Sequence, residues 1–370
     1  MRIGIDARMY GSAVTGIGIY VKELTQTLFE IDKKNDYVVF LLPDAFKNFC
    51  SPRFGVSAVC VDTPWYGWRE QVILPWIFAR QHCDVVHFPN FNVPVLYPKK
   101  FVVTIHDLTP LEFPGPNQAR FGLRRLAYRT VLRYGMRRAA RIIAVSKLTA
   151  DQIAALEPRV KNKIEIVYPG LSPSFRKPLD CGIIEHQFKK HGIRKPYLFY
   201  TGVWSDHKNI PGLIAAWSYI REQYDPAVQL VLGGNPGRDF KRLAPLISKY
   251  PKGSIIVTGF IPDQDLPGYY QRAAVTVIPS FREGFGLVGI ESLACGTPVA
   301  ASVTTSLPEV LGPAGRYFPP DDPEKMAKVI IELIQADHRD AVLRLAPGVV
   351  EKYRWDRAAQ KMQAIYESIV

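Results

Sequence analysis

Two glutamates, Glu283 and Glu291, enclose a glycine-rich turn, with seven residues between them. Gly284 and Gly286 lie in this interval, and the apolar spacing after Gly286 predicts that a helix begins there. Glu283 would then lie in a loop at a sheet edge, whereas Glu291 would lie about a turn and a half into the helix. The N–H groups at a helix start can bind a diphosphate or sugar hydroxyls, and a carboxylate can accept hydrogen bonds from a ribose diol. On spacing alone, Glu283 as a helix cap and Glu291 as a surface charge are equally good interpretations.

A second glycine-rich turn follows the first predicted strand, which ends at Asp6. The residues Thr15-Gly16-Ile17-Gly18 lead into a helix that is predicted from about Ile19. Glycines at a strand-to-helix turn let a phosphate approach the backbone, and the helix start supplies N–H donors. The turn lacks the full G-x-G-x-x-G pattern, so by itself it is compatible with a structural turn as well as with a phosphate site.

Alternating strands and helices must position both turns. Short apolar, β-branched runs predict buried parallel strands separated by longer amphipathic segments, which is typical of a doubly wound α/β sheet. Turn residues from Pro169 to Ser174 separate two sets of strands, so the 370 residues predict two domains at 1–172 and 173–352. A final helix at 353–370 either caps the second domain or, as we favour, crosses back to the first. The predicted strands are Arg2–Asp6, Tyr37–Leu41, Asp84–His87, Phe101–Ile105, Arg141–Val145, Ile164–Tyr168, Tyr197–Thr201, Val228–Leu232, Ser254–Thr258, Val275–Ile278 and Pro298–Ala301.

The segment from Glu283 to Ala300 resembles the E-x7-E signature of glycosyltransferase family 4. Further blocks resemble motifs of that family in the same chain order and cover most of the sequence: Thr15–Gly18, Thr104–Leu108, Ala144–Ser146, Val167–Gly170, His207–Asn209 and Thr258–Phe260. The resemblance implies the α/β GT-B fold, with two Rossmann-like, doubly wound parallel-sheet domains facing a central cleft. It also implies a retaining glycosyltransferase. The stretch from His106 to Pro110, followed by Phe113-Pro114, looks most like bacterial GDP-mannose-dependent mannosyltransferases.

The same resemblance implies roles for individual residues. Lys208 would neutralise the leaving diphosphate, Glu283 would hold the transferred sugar, and His106 would contact the sugar near its anomeric centre. Lys208 as a surface charge and His106 as a satisfied buried histidine are the plainer alternatives. The nucleotide-sugar-binding set would be Gly16, Gly18, His207, Gly259, Phe260, Phe285, Gly286, Leu287 and Glu291, with the ribose held by Glu291 and the nucleotide base beside Gly259 and Phe260.

Two positions depart from the family pattern at the phosphate site. His207 stands where the family often has arginine, and Gly202 stands where some members have a second arginine. The site therefore carries fewer permanent charges than the family pattern implies, although a protonated His207 could compensate.

The residues Asp263-Gln264-Asp265 spell D-x-D, a metal–diphosphate motif of a different glycosyltransferase fold. They precede a predicted helix start at Leu266, so we interpret them as helix capping. We expect no metal and no cofactor. The donor substrate would be GDP-mannose, with a UDP-sugar as the alternative, and the acceptor would be a glycan or a lipid-linked molecule.

The net charge of +13 favours anionic partners. Between Phe113 and Ala150 there is no acidic residue, and arginines recur at helical spacing, which predicts a basic stripe that could rest on an anionic membrane. A solvated helix is the alternative, and no recognisable nucleic-acid module is present. The stripe within the Arg120–Arg141 segment comprises Arg125, Arg129, Arg133, Arg137 and Arg141, with Arg120, Arg124 and Arg138 adding to it; the candidate aromatic anchors are Trp65, Tyr66, Trp68 and Trp76.

We expect the protein to be cytoplasmic, where it could also contact the inner face of the cell membrane. The sequence has neither a signal-peptide pattern nor an apolar run long enough to span a bilayer. Its five cysteines are widely spaced and form no C-x-x-C pair, which favours a reducing compartment.

Other function classes fit the pattern less well. A dinucleotide-dependent dehydrogenase would need G-x-G-x-x-G in the first turn, which is not present. A sugar-nucleotide hydrolase or epimerase would share the fold, and product analysis without acceptor would expose it. A non-catalytic binding protein would have less reason to retain Lys208, Glu283 and Glu291 together.

Overall fold

The computed structural model describes residues 1–11, 16–65, 67–113, 122–176, 181–237 and 240–369, with only the backbone at residues 123, 124 and 181–183. These residues form two compact units. Unit 1 comprises Met1–Gly170 together with Tyr353–Val370, and unit 2 comprises Leu171–Lys352. The chain changes unit two residues before the boundary placed from the sequence, and its last segment belongs to unit 1.

A seven-stranded sheet forms the centre of unit 1 in the described residues, with the order β3-β2-β1-β4-β5-β6-β7. Every pairing in it is parallel; Ile3, for example, lies opposite Tyr37 on one side and Val85 on the other. The central strands are runs of Val and Ile that are buried on both faces, as expected where helices cover a parallel sheet on both sides. The strands are β1 (Arg2–Asp6), β2 (Asp36–Leu41), β3 (Val56–Cys60), β4 (Val85–Phe88), β5 (Phe101–Ile105), β6 (Arg141–Ala144) and β7 (Ile164–Ile166).

Helices pack on both faces of this sheet. In chain order they are α1 (Gly16–Ile31), α2 (Pro43–Lys47), α3 (Trp68–Arg80), α4 (Thr109–Glu112), α5 (Gly122–Arg138), α6 (Lys147–Leu156) and the C-terminal α15 (Trp355–Glu367). Helix α15 packs against α1, and the rings of Tyr20 and Trp355 meet with their centroids 5.6 Å apart. Helices α3 and α5 share one apolar core with the strands, to which Phe78 and Leu132 contribute.

The first helix begins at Gly16 rather than near Ile19, so Gly16 and Gly18 both lie in its first turn; Thr15 lies outside the described residues. The buried face of the helix already starts at Gly18 and continues through Val21 and Leu24 at helical spacing, which is why the helix extends further towards its N-terminus than the side chains suggested.

Unit 2 is built on a second parallel sheet, six-stranded in the described residues, with the order β10-β9-β8-β11-β12-β13. Its core is centred on the buried rings of Trp204 and Trp217. The strands are β8 (Tyr197–Thr201), β9 (Gln229–Gly233), β10 (Ile255–Gly259), β11 (Val275–Ile278), β12 (Val299–Ser302) and β13 (Gly315–Phe318). The helices are α7 (Cys181–His191), α8 (Ile210–Gln223), α9 (Phe240–Ile247), α10 (Leu266–Arg272), α11 (Leu287–Ala294), α12 (Leu307–Leu311), α13 (Pro323–Ile334) and α14 (Ala336–Val350).

Two Rossmann-like parallel-sheet units confirm the fold class expected from the strand–helix alternation. Strands β3 and β13 were not expected. Both are edge strands, which are buried on fewer sides than central strands, so their sequences carry a weaker apolar signal.

The basic stripe is shorter than its sequence spacing suggests. Helix α5 ends at Arg138, and Arg141 is the first residue of β6, so this arginine is not part of a helical stripe. The turn between them is fixed from outside, since the Lys163 ammonium donates to the carbonyls of Arg137 and Ala139. Arg120 and the Arg124 side chain lie outside the described residues. Arg125, Arg129 and Arg133 remain exposed on α5, and Arg137 forms an ion pair of 2.7 Å with Glu157.

Among the described helices, none is both long enough and apolar enough to pass through a bilayer.

Candidate active site

The loop after β8 carries Lys208 in a single turn of 3-10 helix, Asp206–Lys208. Asn209 ends this turn with a left-handed backbone (φ 53°) and caps α8, since its Oδ1 accepts a hydrogen bond from the Gly212 amide at 3.2 Å. The Asn209 amide group also donates to the carbonyls of Pro320 (2.6 Å) and Pro279 (3.2 Å). The loop is therefore fixed on two sides by one buried asparagine.

The loops after β8 and β11 meet because these strands are neighbours in the sheet. The Phe281 amide donates to the His207 carbonyl at 2.7 Å, and the Lys208 ammonium donates to Glu283 Oε1 at 2.6 Å. The Ser280 hydroxyl donates to the same Oε1 at 2.8 Å. Lys208 and Glu283 are 18% and 15% exposed, so the pair is largely shielded from solvent but not fully buried. Lys208 was predicted to bind the diphosphate of the donor and Glu283 its sugar, and in the structure these two side chains contact each other directly.

The glycine-rich turn between the two glutamates depends on Gly286. Its φ of 93° lies in the left-handed region, and a β-carbon there would collide with the Leu307 side chain. Helix α11 begins at the next residue, Leu287, so the amides of Leu287 and its successors are among those that a helix leaves without an i−4 partner. Phe285 is buried, and its carbonyl accepts from the Ser306 hydroxyl at 3.1 Å, which fixes the turn from below.

Glu291 is the fifth residue of α11, close to the depth expected from the spacing. Its Oε2 accepts a hydrogen bond from the Tyr270 hydroxyl at 2.7 Å. Burial raises the pKa of Glu291 to about 7; the Tyr270 hydroxyl opposes this shift, and the nearby charge of Asp263 adds to it. The carboxyl therefore changes protonation close to neutral pH, and it is not the solvated surface charge of the plainer interpretation.

Gly259 is the last residue of β10, and Phe260 follows it at the carboxyl end of the strand. Gly259 has a φ of 71°, its carbonyl accepts from the Gly234 amide at 2.8 Å, and Phe260 is 62% exposed. An exposed ring next to a left-handed glycine is available to a ligand. Gly202, at one of the departures from the family pattern, has a φ of 148°, at which an arginine would be strained.

The D-x-D interpretation needs one correction. Asp265 precedes α10, but its side chain makes no capping hydrogen bond. Its backbone is already helical, the second helical residue is Pro267, which has no N–H, and the amide of Gly268 donates to the Asp265 carbonyl at 3.0 Å. The first turn of α10 therefore offers no N–H group to which the Asp265 side chain could bond. Within the part of the chain that the structure describes, no group of three His, Cys, Asp or Glu residues could hold a metal ion.

In unit 1, His106 follows β5 and lies beside the first helix. Its ring packs edge-on against Tyr20 of α1, with centroids 4.7 Å apart. Its Nε2 lies 2.8 Å from the Pro89 carbonyl, which can only accept a hydrogen bond, so Nε2 carries the proton and Nδ1 the lone pair. Burial lowers the pKa of His106, and the Pro89 carbonyl opposes this only in part. The neutral ring can therefore accept a hydrogen bond from a sugar hydroxyl at Nδ1.

A buried ionic cluster at the carboxyl end of β1 was missed by the sequence reasoning. Arg8 donates to Asp6 (2.7 Å) and Glu70 (2.6 Å) with Nη2 and to the Thr63 carbonyl (3.1 Å) with Nη1, and Asn92 donates to the other oxygen of Glu70 at 2.6 Å. Burial alone would lower the pKa of Arg8, but the two carboxylates more than offset it and hold the pKa above its usual value. The only available signal was Asp6 itself, the last residue of the first strand.

This cluster fixes the loops that follow β1, β3 and β4 relative to one another. Asp6 and Arg8 line a small cavity together with Trp65 and Asn90. An aromatic ring beside an amide and a guanidinium is a combination suited to a sugar.

Each predicted site residue thus has a place in one of the two units. Unit 2 brings together Lys208, His207, Glu283, Phe285, Gly286 and Leu287, with Glu291 further along the same helix. Gly259 and Phe260 lie at the carboxyl end of β10, which is separated from β8 by β9. Unit 1 places His106 against the helix that begins with Gly16 and Gly18. The roles assigned to these residues stay predictions.

The chain matches two family models. Residues 14–175 match the model described as Glycosyltransferase Family 4, and residues 183–344 match the model described as Glycosyl transferases group 1. The chain is therefore a glycosyltransferase of the GT-B fold, with a family 4 domain followed by a group 1 domain, which confirms the resemblance seen in the motifs.

Among its relatives is the O-antigen chain mannosyltransferase B of Escherichia coli, 28% identical over 299 residues that span 79% of this chain and 76% of that protein. The serotype-specific mannosyltransferase WbdA of Escherichia coli is 28% identical over 264 residues, which span 68% of this chain but only 31% of that longer protein. The structure resembles that of Anabaena HepE in complex with UDP-glucose, with a TM-score of 0.76 at 18% identity, over 99% of both chains. At that identity the likeness shows the fold alone.

Proposed function

We propose that this glycosyltransferase moves mannose from GDP-mannose to a glycan or lipid-linked acceptor, with retention of configuration and without a metal ion. The observation that carries the proposal is the largely shielded pair of Lys208 and Glu283 at the turn that begins α11. The mannosyltransferase names of the two relatives support mannose as the transferred sugar.

The reaction breaks the bond between the anomeric carbon and a diphosphate oxygen, and it forms a bond from the same carbon to the acceptor oxygen. Negative charge grows on the leaving phosphate, and fixed donors aimed at such charge contribute ~2.7–4 kcal/mol each in comparable oxyanion sites. Lys208 is the cation for this task, and the amides at the start of α11 are the backbone donors. To reach the diphosphate, Lys208 gives up or shares its bond to Glu283.

Glu283 would then hold hydroxyls of the transferred sugar. Ser280 and Lys208 both bond Oε1, so the carboxylate stays fixed by Ser280 when Lys208 turns to the phosphate. His106 would accept a hydroxyl hydrogen bond at Nδ1. In a front-face displacement the leaving phosphate oxygen takes the proton of the acceptor hydroxyl, so His106 positions the sugar and removes no proton.

The donor is tested by thermal stabilisation with GDP-mannose, GDP, UDP-glucose, UDP-N-acetylglucosamine and UDP, each with and without EDTA. A ligand at ~100 times its Kd stabilises the folded state by ~2.7 kcal/mol, a readable shift in Tm. We expect stabilisation by the GDP compounds, unchanged by EDTA, lost in Lys208→Ala and retained in Lys328→Ala, which removes an exposed lysine of α13. A preference for UDP compounds would keep the enzyme class and overturn the donor; loss of the shift in EDTA would overturn metal independence.

A UDP-sugar is the second candidate donor, because the structurally similar HepE binds UDP-glucose. Product analysis by NMR distinguishes the remaining alternatives. An inverted anomeric centre, or a trapped covalent glycosyl-enzyme, would contradict front-face retention. Release of free sugar or an epimerised nucleotide as the main product in the presence of acceptor would favour a sugar-nucleotide hydrolase or epimerase.

We also propose that one face of unit 1 contacts an anionic membrane at the cytoplasmic side. Helix α3 exposes Trp68 (75%), Val72 (51%) and Trp76 (70%) at four-residue spacing, so these side chains lie along one side of the helix. The expected anchor Trp65 is only partly exposed, and Tyr66 lies outside the described residues. Tryptophans at the interface together with arginines near anionic headgroups are the combination that peripheral proteins use.

The arginines of α5 lie on the same side of the sheet as α3, because both helices pack into one core. The segment after β4 joins them: the Val95 amide donates to Gln71 of α3 at 2.8 Å, and Val93 packs next to Gly135 of α5. Leu96 of this segment is 64% exposed. The aromatic row, the exposed leucine and the arginines therefore belong to one continuous outer layer.

Vesicle flotation tests this contact with phosphatidylglycerol and phosphatidylcholine membranes. We expect binding only to phosphatidylglycerol, with partitioning that falls roughly 10-fold to 30-fold when Arg129 and Arg133 are replaced by serine. Serine at Lys189 and Lys190, an exposed pair on α7, is the matched control and should have no effect. Equal losses in both double variants, or no binding at low salt, would contradict the proposed face.

A further inference from the structure

His87 is a fully buried histidine of β4 that the proposed reaction does not use. Both ring nitrogens have hydroxyl partners: Nδ1 lies 2.7 Å from the Tyr366 hydroxyl of α15, and Nε2 lies 2.8 Å from the Thr104 hydroxyl of β5. Burial, reinforced by the nearby His106, lowers the pKa of His87 to about 3. The ring is therefore neutral near pH 7, with one nitrogen donating and the other accepting.

The hydroxyls extend this arrangement to the neighbourhood of His106. The Thr104 hydroxyl also lies 3.5 Å from the hydroxyl of Tyr20, and the Tyr20 ring is the one that packs edge-on against His106. Tyr366, His87, Thr104 and Tyr20 thus form a chain of three hydrogen bonds. Because each hydroxyl donates only one hydrogen bond, all three bonds can form only when they point in a consistent order along the chain. The C-terminal helix is thus linked through His87 and Thr104 to the Tyr20 hydroxyl.

The backbone makes a second connection between the two histidines. His87 lies two residues before Pro89, whose carbonyl receives the His106 Nε2 proton, and Thr104 lies two residues before His106 on the neighbouring strand. His87 is therefore connected to the Pro89 carbonyl through the chain and Thr104 to the Tyr20 ring through its hydroxyl, and these are the two groups that contact the His106 ring.

We propose that Tyr366, His87 and Thr104 are positioning residues through which the C-terminal helix holds His106 in one orientation and in the tautomer protonated at Nε2. The catalytic part of this inference rests on the proposed function, in which His106 contacts the donor sugar. The C-terminal helix would then have a role in the reaction in addition to packing against α1.

Three hydroxyl variants test the relay. Thr104→Val and Tyr366→Phe each remove one hydroxyl at nearly constant volume, and Thr104→Ser restores the hydroxyl. Tyr97→Phe is the matched control, because the Tyr97 hydroxyl is buried in the same unit and has no hydrogen-bond partner in the structure. We expect kcat to fall roughly 10-fold to 100-fold in Thr104→Val and Tyr366→Phe, with the donor KM within about twofold of wild type. Thr104→Ser and Tyr97→Phe should keep wild-type kcat.

Nitrogen-15 NMR of the histidine side chains reads the tautomer without any turnover. The His106 signals are assigned by their loss in His106→Gln. We expect one Nε2-protonated tautomer in wild type, Thr104→Ser and Tyr97→Phe, and a mixture of tautomers in Thr104→Val and Tyr366→Phe. A single unchanged tautomer in those two variants would overturn the relay. If His106→Gln keeps wild-type kcat, the proposed role of His106 fails, whereas the NMR result still decides whether the relay holds the ring.

Discussion

Replacing Glu291 by glutamine should stabilise the protein at pH 8 and have little such effect at pH 4.5. Burial raises the pKa of this carboxyl from 4.5 to about 7, so the folded state keeps a proton that the unfolded chain releases between these two pH values. Where the folded state binds more protons than the unfolded state, stability falls as the pH rises. Glutamine has no such dependence, and its carbonyl can still accept the Tyr270 hydroxyl.

The size of the effect follows from the shift. A difference of about 2.5 pKa units at ~1.4 kcal/mol per unit gives about 3 kcal/mol at pH 8, which is fully developed only above pH 7 and is absent below pH 4.5. Because the carboxyl is partly exposed, this figure is an upper limit.

The assay is urea unfolding of the wild type and Glu291→Gln at pH 4.5, 6, 7 and 8, followed by circular dichroism. We expect the variant to gain up to about 3 kcal/mol relative to wild type between the lowest and the highest pH. Glu332→Gln, which replaces an exposed glutamate of α13 in the same unit, should give a difference that does not change with pH. If Glu291→Gln behaves like this control, or becomes relatively less stable as the pH rises, the carboxyl is not held protonated by burial and the reasoning is wrong.

Three other substitutions follow from the contacts described above. Lys208→Ala should lower kcat by about 10²–10³ at saturating donor, since it removes the cation assigned to the leaving phosphate; steady-state kinetics with a kcat within threefold of wild type would contradict that role. Arg8→Ala should cost about 3–5 kcal/mol near neutral pH because it leaves Asp6 and Glu70 buried together without a cation, and urea unfolding should show a smaller loss at low pH, where Glu70, whose pKa is raised by burial, takes up a proton. Gly170→Ala should cost about 1–3 kcal/mol because a β-carbon there collides with the backbone of Trp355, whereas Gly348→Ala, with open space in α14, should cost nothing; equal Tm values for the two alanine variants would show that the junction of α15 is not tightly packed.

Much of the fold was predictable because parallel strands buried on both faces leave a strong local pattern. Nine central strands of the described residues appear as short apolar runs, and their ends agree with the predicted ends within about one residue. The edge strands β3 and β13 were missed because exposure on one side dilutes that pattern. The start of α1 at Gly16 was missed because glycine carries no apolar side chain by which a buried helical face can be recognised.

The candidate site also has parts that could be predicted from the sequence and parts that could not. The motif around Glu283 and Glu291 predicts a turn and a helix start, and both are present, since a left-handed glycine followed by a helix is a local property of the chain. The capping role of Asp265 was wrong because it depends on which backbone donors the next turn offers, and Pro267 removes one of them.

The sequence by itself determined the strand–helix alternation, because this is a matter of local spacing and residue type. The enzyme class and the motif residues came from the resemblance of those motifs to glycosyltransferase family 4. Only the tertiary structure decided which of them meet. Lys208 and Glu283 are 75 residues apart and form an ion pair because β8 and β11 are adjacent in the sheet. His87 and Tyr366 are 279 residues apart and are joined because α15 belongs to unit 1. Strand order and the path of the last helix are set by the packing of the whole unit, so no short segment of sequence contains them.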